Sequence, residues 1–168
     1  GKEVTEITTG EAASIITNQT PFYGESGGQI GDAGYITTSN AKFIVEDTQK
    51  KLGDIYVHNG KIIEGKLKIN EPVNLSIDEK RRKNVRAYHS ATHLLHEALR
   101  KTLGKHVIQK GSFVGSDKLR FDFSHMKPIE DKEIEKIEEY VNNNINTNSD
   151  VRTRLMSPKE AVNNGALA

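Results

Sequence analysis

With 168 residues, the chain has room for one large domain or two small ones. A formal net charge of +1 excludes a general polyanion sponge, so any nucleic-acid surface must be a local basic patch. No apolar run approaches the ~18 residues of a membrane span, the charged start GKEVTEITTGE is no signal peptide, and the lack of cysteine excludes disulfides and fits a cytoplasmic protein.

Residues 1–77 read as short strands separated by glycine turns. The β-rich runs are 12–17, 34–38, 42–47, 54–59, 61–65 and 72–77. Asn59-Gly60 predicts a type I′ hairpin between the fourth and fifth, since this pair accepts positive φ. Many short strands with frequent turns predict a small, glycine-rich β-barrel. The character changes at Asp78, which can N-cap a helix reaching Leu103, with Gly104 as its stop. Tyr88, Thr92, Leu95 and Leu99 would form the buried stripe of that helix. Two strands follow, over 106–113 and 118–124, around a turn at residues 115–117. A second helix spans about 131–146, with Ile134, Ile137, Val141 and Ile145 inward. Residues 150–156 alternate in strand fashion, placing Val151, Thr153 and Leu155 opposite Arg152 and Arg154. Ser157-Pro158-Lys159-Glu160 is a capping box with proline at the first helical position. The fold class expected is α+β. A barrel subdomain (1–77) precedes an α/β subdomain (78–168) in which a long histidine-bearing helix packs on an antiparallel sheet.

Two stretches carry chemistry. In RAYHSATHLLHEALR, His89, His93 and His96 fall on one flank of the helix, beside the apolar stripe. Histidines four residues apart can share a metal ion, and neutral imidazole is a good zinc ligand. Yet HxxxH alone is a weak signal, and a solvated flank is the commoner arrangement. His96 lies two turns on and reads better as a polar flank residue. His58, His106 and His125 are isolated in sequence, which points to structural or solvated roles. The second stretch is TPFYGESGGQIGDAG. It is neither a Walker loop nor a dinucleotide fingerprint, because the lysine and the spacing are missing. Its glycines let backbone N–H groups approach a ligand, or simply make a tight loop.

Taken together and in order, these stretches and the continuation RKTLGKHVIQKGSFVGSDKLRFDFSH closely resemble the editing domain of alanyl-tRNA synthetase, from about residue 12 to 168. The resemblance implies hydrolysis of mischarged Ser-tRNA(Ala) and Gly-tRNA(Ala), with the acceptor end of tRNA(Ala) as partner. It implies no membrane, and no protein partner is evident. His89 and His93 match the family's first pair of zinc ligands. Thr92 and Gln109 match polar positions lining its editing pocket, the candidate catalytic residues. Gly27, Gly28 and Gln29 would lie near the aminoacylated end of the tRNA. The family's other two ligands come from a Cys-x-x-x-His motif that this sequence lacks. The expectation is therefore a metal half-site in a domain incomplete at its C-terminus, and a fragment that is weak or inactive alone. ATP and Mg²⁺ belong only to the parent ligase's aminoacylation domain.

From the residues themselves, ester hydrolysis needs an activated water, a place for the oxyanion and a discriminating pocket. The Thr92 hydroxyl could bind a seryl hydroxyl that alanine lacks, or bond back to its own helix. Gln109 could hydrogen-bond substrate, or be an exposed strand residue. Lys80, Arg81, Arg82, Lys83 and Arg86 form a candidate phosphate patch, extended by Lys110, Lys118 and Arg120, or a solvated basic face. A freestanding trans-editing deacylase, a non-catalytic tRNA-binding module and a structural spacer are the competing readings. The non-Met start and abrupt end speak against the first.

Overall fold

The computed structural model describes residues 2–150, 152 and 154–166. In chain order these form β1 (Glu6–Thr8), β2 (Ala12–Ile16), β3 (Gly34–Thr37), β4 (Ala41–Lys51), β5 (Ile55–Lys68), β6 (Asn74–Ile77), α1 (Glu79–Leu103), β7 (Gln109–Val114), β8 (Leu119–Phe123), α2 (Asp131–Thr147) and α3 (Pro158–Asn163). The first six strands make one antiparallel sheet, ordered β1-β5-β4-β3-β6, with β2 also on β5. β7 and β8 form a separate antiparallel hairpin.

The expected barrel is not closed. β1 and β2 lie one after the other along the same edge of β5, at Lys66–Lys68 and at Val57–Lys61, and among the described residues no pairing joins either to β6. A cleft of about 880 Å³ lies there instead, lined among others by Ser14, Ile16, Leu67, Val73 and Leu75. The sheet nevertheless curls around one core: Phe22, Ile36, Phe43, Val45 and Ile62 are its buried centre, and β1 and β6 both contribute to it.

The hairpin expected at Asn59-Gly60 is also displaced. Residues 55–68 are a single strand laddered on both sides, with Asn59 opposite Ser14 on β2 and opposite Asp47 on β4. Gly60 serves a close approach rather than a turn. A Cβ there would collide with the Ile44 carbonyl, next to the bulge between Val45 and Asp47. The chain reverses earlier, at Leu52 and Gly53, whose φ angles are +47° and +88°.

α1 forms as its caps dictate. The Asp78 side chain accepts from the Arg81 backbone N–H at 2.9 Å, and Gly104 ends the helix with its N–H on the Arg100 carbonyl. Of the expected stripe, Thr92 and Leu99 are buried, Leu95 packs beside them, and Tyr88 is half-buried. Val85 and Ala98, with no prominence in the sequence pattern, are buried more deeply than any of these. A second core joins Ala98, Leu99, Val107 and Ile137 with Phe121, Phe123 and Tyr140. On α2 only Ile137 and Val141 of the four foreseen residues join it, with Tyr140. Ile134 and Ile145 are 42% and 52% exposed, because α1 and the hairpin cover only the middle of α2. No strand forms among the described residues of 150–156, where Leu155 is fully exposed; Val151 and Thr153 lie outside the described residues. α3 begins at the capping box of Ser157 and Glu160, as expected.

Candidate active site at the glycine loop and the histidine helix

The glycine loop is held by its backbone. Ser26 and Gln29 exchange N–H···O bonds at 3.0 and 3.2 Å across Gly27 and Gly28, whose φ angles are +59° and +84°. This is the two-residue turn with both central φ positive, and glycine is what makes it cheap. The loop then docks on β7: the Val114 N–H donates to the Gly28 carbonyl at 2.8 Å, and the Ile30 N–H to the Val114 carbonyl at 3.1 Å. The docking is so close that a Cβ on Gly28 would strike the Ser112 backbone.

A second anchor ties the loop to the start of α1. Asp32, 2% exposed, accepts from the Tyr23 N–H at 2.7 Å and from Arg82 Nε at 2.9 Å, with Arg82 Nη2 closing the ion pair. Hydrogen bonding to Asp32 holds Arg82 above its usual pKa range. Arg81 donates to the Gly31 carbonyl at 2.6 Å. Two members of the foreseen phosphate patch therefore work inside the protein. Lys80, Lys83, Arg86, Lys110 and Lys118 remain exposed, while Arg120 pairs with Asp122 at 3.2 Å.

These anchors bring Gln29 against His89. The Gln29 side-chain amide oxygen Oε1 lies 2.6 Å from His89 Nδ1, and Gln29 is buried. The His89 and His93 rings stand 5.0 Å apart, as a pair one helical turn apart should. Burial first, then the neighbouring His93, pushes His89 below the usual histidine range, which favours the neutral, ligating form. His96 turns instead onto Phe121, with ring centroids 5.1 Å apart. Its Nε2 is buried without a partner, and burial, then Arg100, depresses its pKa. Among the described residues no third histidine, cysteine, aspartate or glutamate joins the pair in a metal-binding group. The pair by itself therefore offers a metal ion two imidazole nitrogens at most.

Thr92 is 7% exposed and its hydroxyl donates to the Tyr88 carbonyl at 2.8 Å, leaving only lone pairs to offer. Gln109 is an exposed residue at the start of β7, its amide N–H on Ser112 Oγ at 3.2 Å. Ser112, which the sequence did not mark, therefore touches both Gln109 and the underside of Gly28. Gly27 and Gly28 are exposed above the buried Gln29, and Arg86 is exposed further along α1. The remaining histidines fall elsewhere. His58 is fully buried, with Nδ1 2.9 Å from the Ile15 carbonyl and Nε2 2.8 Å from the Thr20 hydroxyl, a structural role. His106 and His125, isolated in sequence, stack with nitrogens 3.0 Å apart. The β7–β8 ladder brings them together, continued outward by the Ser124 N–H on the Ile108 carbonyl.

A chain whose glycine loop is locked to a histidine helix in this way has clear relatives. Residues 1–81, just under half of the chain, match the family model for tRNA synthetases class II (A). Its particular relatives are alanine–tRNA ligases, another name for the alanyl-tRNA synthetases that the sequence resembles. It is 53% identical to that of Parvibaculum lavamentivorans and 51% identical to those of Rhodopseudomonas palustris and Chelativorans sp., in each case over 100% of this chain. The chain spans about a fifth (19%) of the length of these curated relatives. Among the described residues no helix is long and apolar enough to cross a membrane.

Proposed function

We propose that this chain is the hydrolytic editing part of an alanine–tRNA ligase, acting in the cytoplasm on Ser-tRNA(Ala) and Gly-tRNA(Ala). The observation that carries the reading is the 2.6 Å contact between Gln29 and His89, which joins two motifs 60 residues apart into one site. The acceptor end of tRNA(Ala) would lie over the exposed Gly27 and Gly28, with its phosphates on Lys80, Lys83 and Arg86, so binding weakens with salt. The seryl hydroxyl would donate to the free lone pairs of Thr92, an option alanine lacks. A buried polar contact of this kind discriminates better than a methyl-sized pocket. Gln109, held by Ser112, would present its amide oxygen to the substrate or to the attacking water.

His89 and His93 would hold a zinc ion, which when fully ligated supplies Lewis-acid polarisation of the ester or its water. Two imidazoles without a thiolate bind zinc poorly, so the chain alone is expected to be a weak hydrolase. Aminoacylation with ATP and Mg²⁺ belongs to the remainder of the ligase. The identity to ligases supports this reading over a freestanding deacylase.

The absence of a third ligand among the described residues favours a second reading for the isolated chain, a tRNA-binding module without catalysis. Deacylation of Ser-tRNA(Ala), with Ala-tRNA(Ala) as control, separates the two. A version extended through the next Cys-x-x-x-His should hydrolyse the seryl ester and lose that activity to a chelator. If the extended protein binds tRNA in a salt-dependent way but never hydrolyses it, the module reading replaces the editing one.

A further inference from the structure

We infer that Gln29 is a positioning residue that locks the tautomer of His89. The inference rests on the reading of His89 as a metal ligand, and it changes the role of the glycine loop from a surface that merely approaches substrate. An amide oxygen only accepts. A nitrogen 2.6 Å from Gln29 Oε1 must therefore be an N–H, so in the neutral ring Nδ1 of His89 carries the proton and Nε2 keeps its lone pair. A metal-ligating histidine needs this arrangement, with the second nitrogen donating to a fixed acceptor. Histidine in water favours the opposite tautomer, with the proton on Nε2, so the contact works against the ring's own preference.

The loop is built to make that contact reliable. The Ser26–Gln29 turn, with two glycines at positive φ, fixes where the Gln29 backbone lies. The missing Cβ of Gly28 lets the turn seat on Ser112, and the paired bonds to Val114 set its depth beside α1. Gln29 is 7% exposed, so water cannot readily replace its oxygen. Gly27 and Gly28 are thus needed to aim Gln29 as well as to leave room for a ligand.

Long-range ¹H–¹⁵N spectra of the metal-free, ¹⁵N-histidine-labelled chain test this directly, recorded well above the imidazole titration range and assigned with His89→Asn. His89 is expected to show a protonated Nδ1 and a bare Nε2. Gln29→Met, similar in size but without the acceptor, should shift His89 toward the Nε2–H form. Gln29→Glu, which keeps an acceptor, should not. Co²⁺ titration of the same three proteins should show about tenfold or greater weakening for Gln29→Met alone. A wild-type His89 protonated on Nε2, as a flipped Gln29 amide would require, overturns the inference. So does an unchanged tautomer in Gln29→Met, or equal weakening in the Met and Glu variants, which marks a merely structural role. If instead His89→Asn leaves Co²⁺ binding intact, the ligand reading under Proposed function fails, while the tautomer result still stands or falls separately.

Discussion

Arg82→Met isolates the clamp between the glycine loop and α1. The Asp32 side chain is 3% exposed and that of Arg82 27%, and the carboxylate takes both Arg82 Nε contacts at 2.9 Å besides the Nη2 ion pair. Methionine keeps the aliphatic stem but removes every one of these donors. Asp32 is then left with the Tyr23 N–H alone, a buried charge without its counter-ion. Stranding a buried charge in this way typically costs about 3–5 kcal/mol. Water can approach from the partly exposed arginine side, so the expected cost is ~3 kcal/mol, the low end of that range. That is roughly a 150-fold loss in the folding equilibrium.

Urea unfolding followed by circular dichroism at neutral pH reads this directly, provided the m-value is unchanged. The control is Asp32→Asn combined with Arg82→Met, which keeps an acceptor for Tyr23 and has no charge to strand. This double variant should regain at least about half of the lost stability. An Arg82→Met cost below about 0.5 kcal/mol, the value of an exposed pair, would show that the clamp is ornamental. A double variant no better than the single would refute the charge argument.

Other consequences follow from the same geometry. Burial lowers the pKa of His58, while the backbone bond to Ile15 opposes the shift. The unfolded state then binds the extra proton first, so this contribution is complete above the ordinary value of about 6.5 and is lost as pH falls through it toward the folded value. Urea midpoints should drop between about pH 7.5 and pH 5, and His58→Gln should flatten that dependence; a slope that the variant leaves unchanged contradicts the assignment. Gly27 and Gly28 should respond differently to alanine. Nothing lies within 4 Å of a Cβ on Gly27, whereas one on Gly28 runs into Ser112. Gly27→Ala should cost about 1 kcal/mol for its positive φ, and Gly28→Ala about 3 kcal/mol or undocking of the loop. Equal unfolding midpoints for the two variants would mean that the loop does not seat on β7.

Much of the fold is readable because its signals are local. Asp78 and Gly104 bracket α1, Ser157 and Glu160 open α3, and the strands expected over 106–113 and 118–124 form as β7 and β8, the first of them starting only at Gln109. What sequence reading misplaces depends on partners far along the chain. Asn59-Gly60 has the chemistry of a hairpin turn, but strands on both sides of β5 override it, and the glycine answers to the Ile44 carbonyl. The closing edge of the barrel depends on where β1 and β2 pair, and no local pattern records that. The ends of α2 look inward by period but extend past what covers its middle.

The candidate site divides in the same way. The histidine pair and the glycine loop stand out in the sequence. The contact of Gln29 with His89, the link through Ser112 and the burial of Arg82 with Asp32 arise only from folding. A basic run reads alike whether its arginines face phosphate or a buried carboxylate.

The most direct test of the account is single-turnover hydrolysis of Ser-tRNA(Ala) by the parent ligase and its His89→Asn/His93→Asn double variant, with alanine aminoacylation measured on both as the internal standard. The account predicts that the variant charges tRNA at the parental rate and no longer clears the seryl ester. Seryl hydrolysis that survives the loss of both histidines would contradict it and place the chemistry away from this helix.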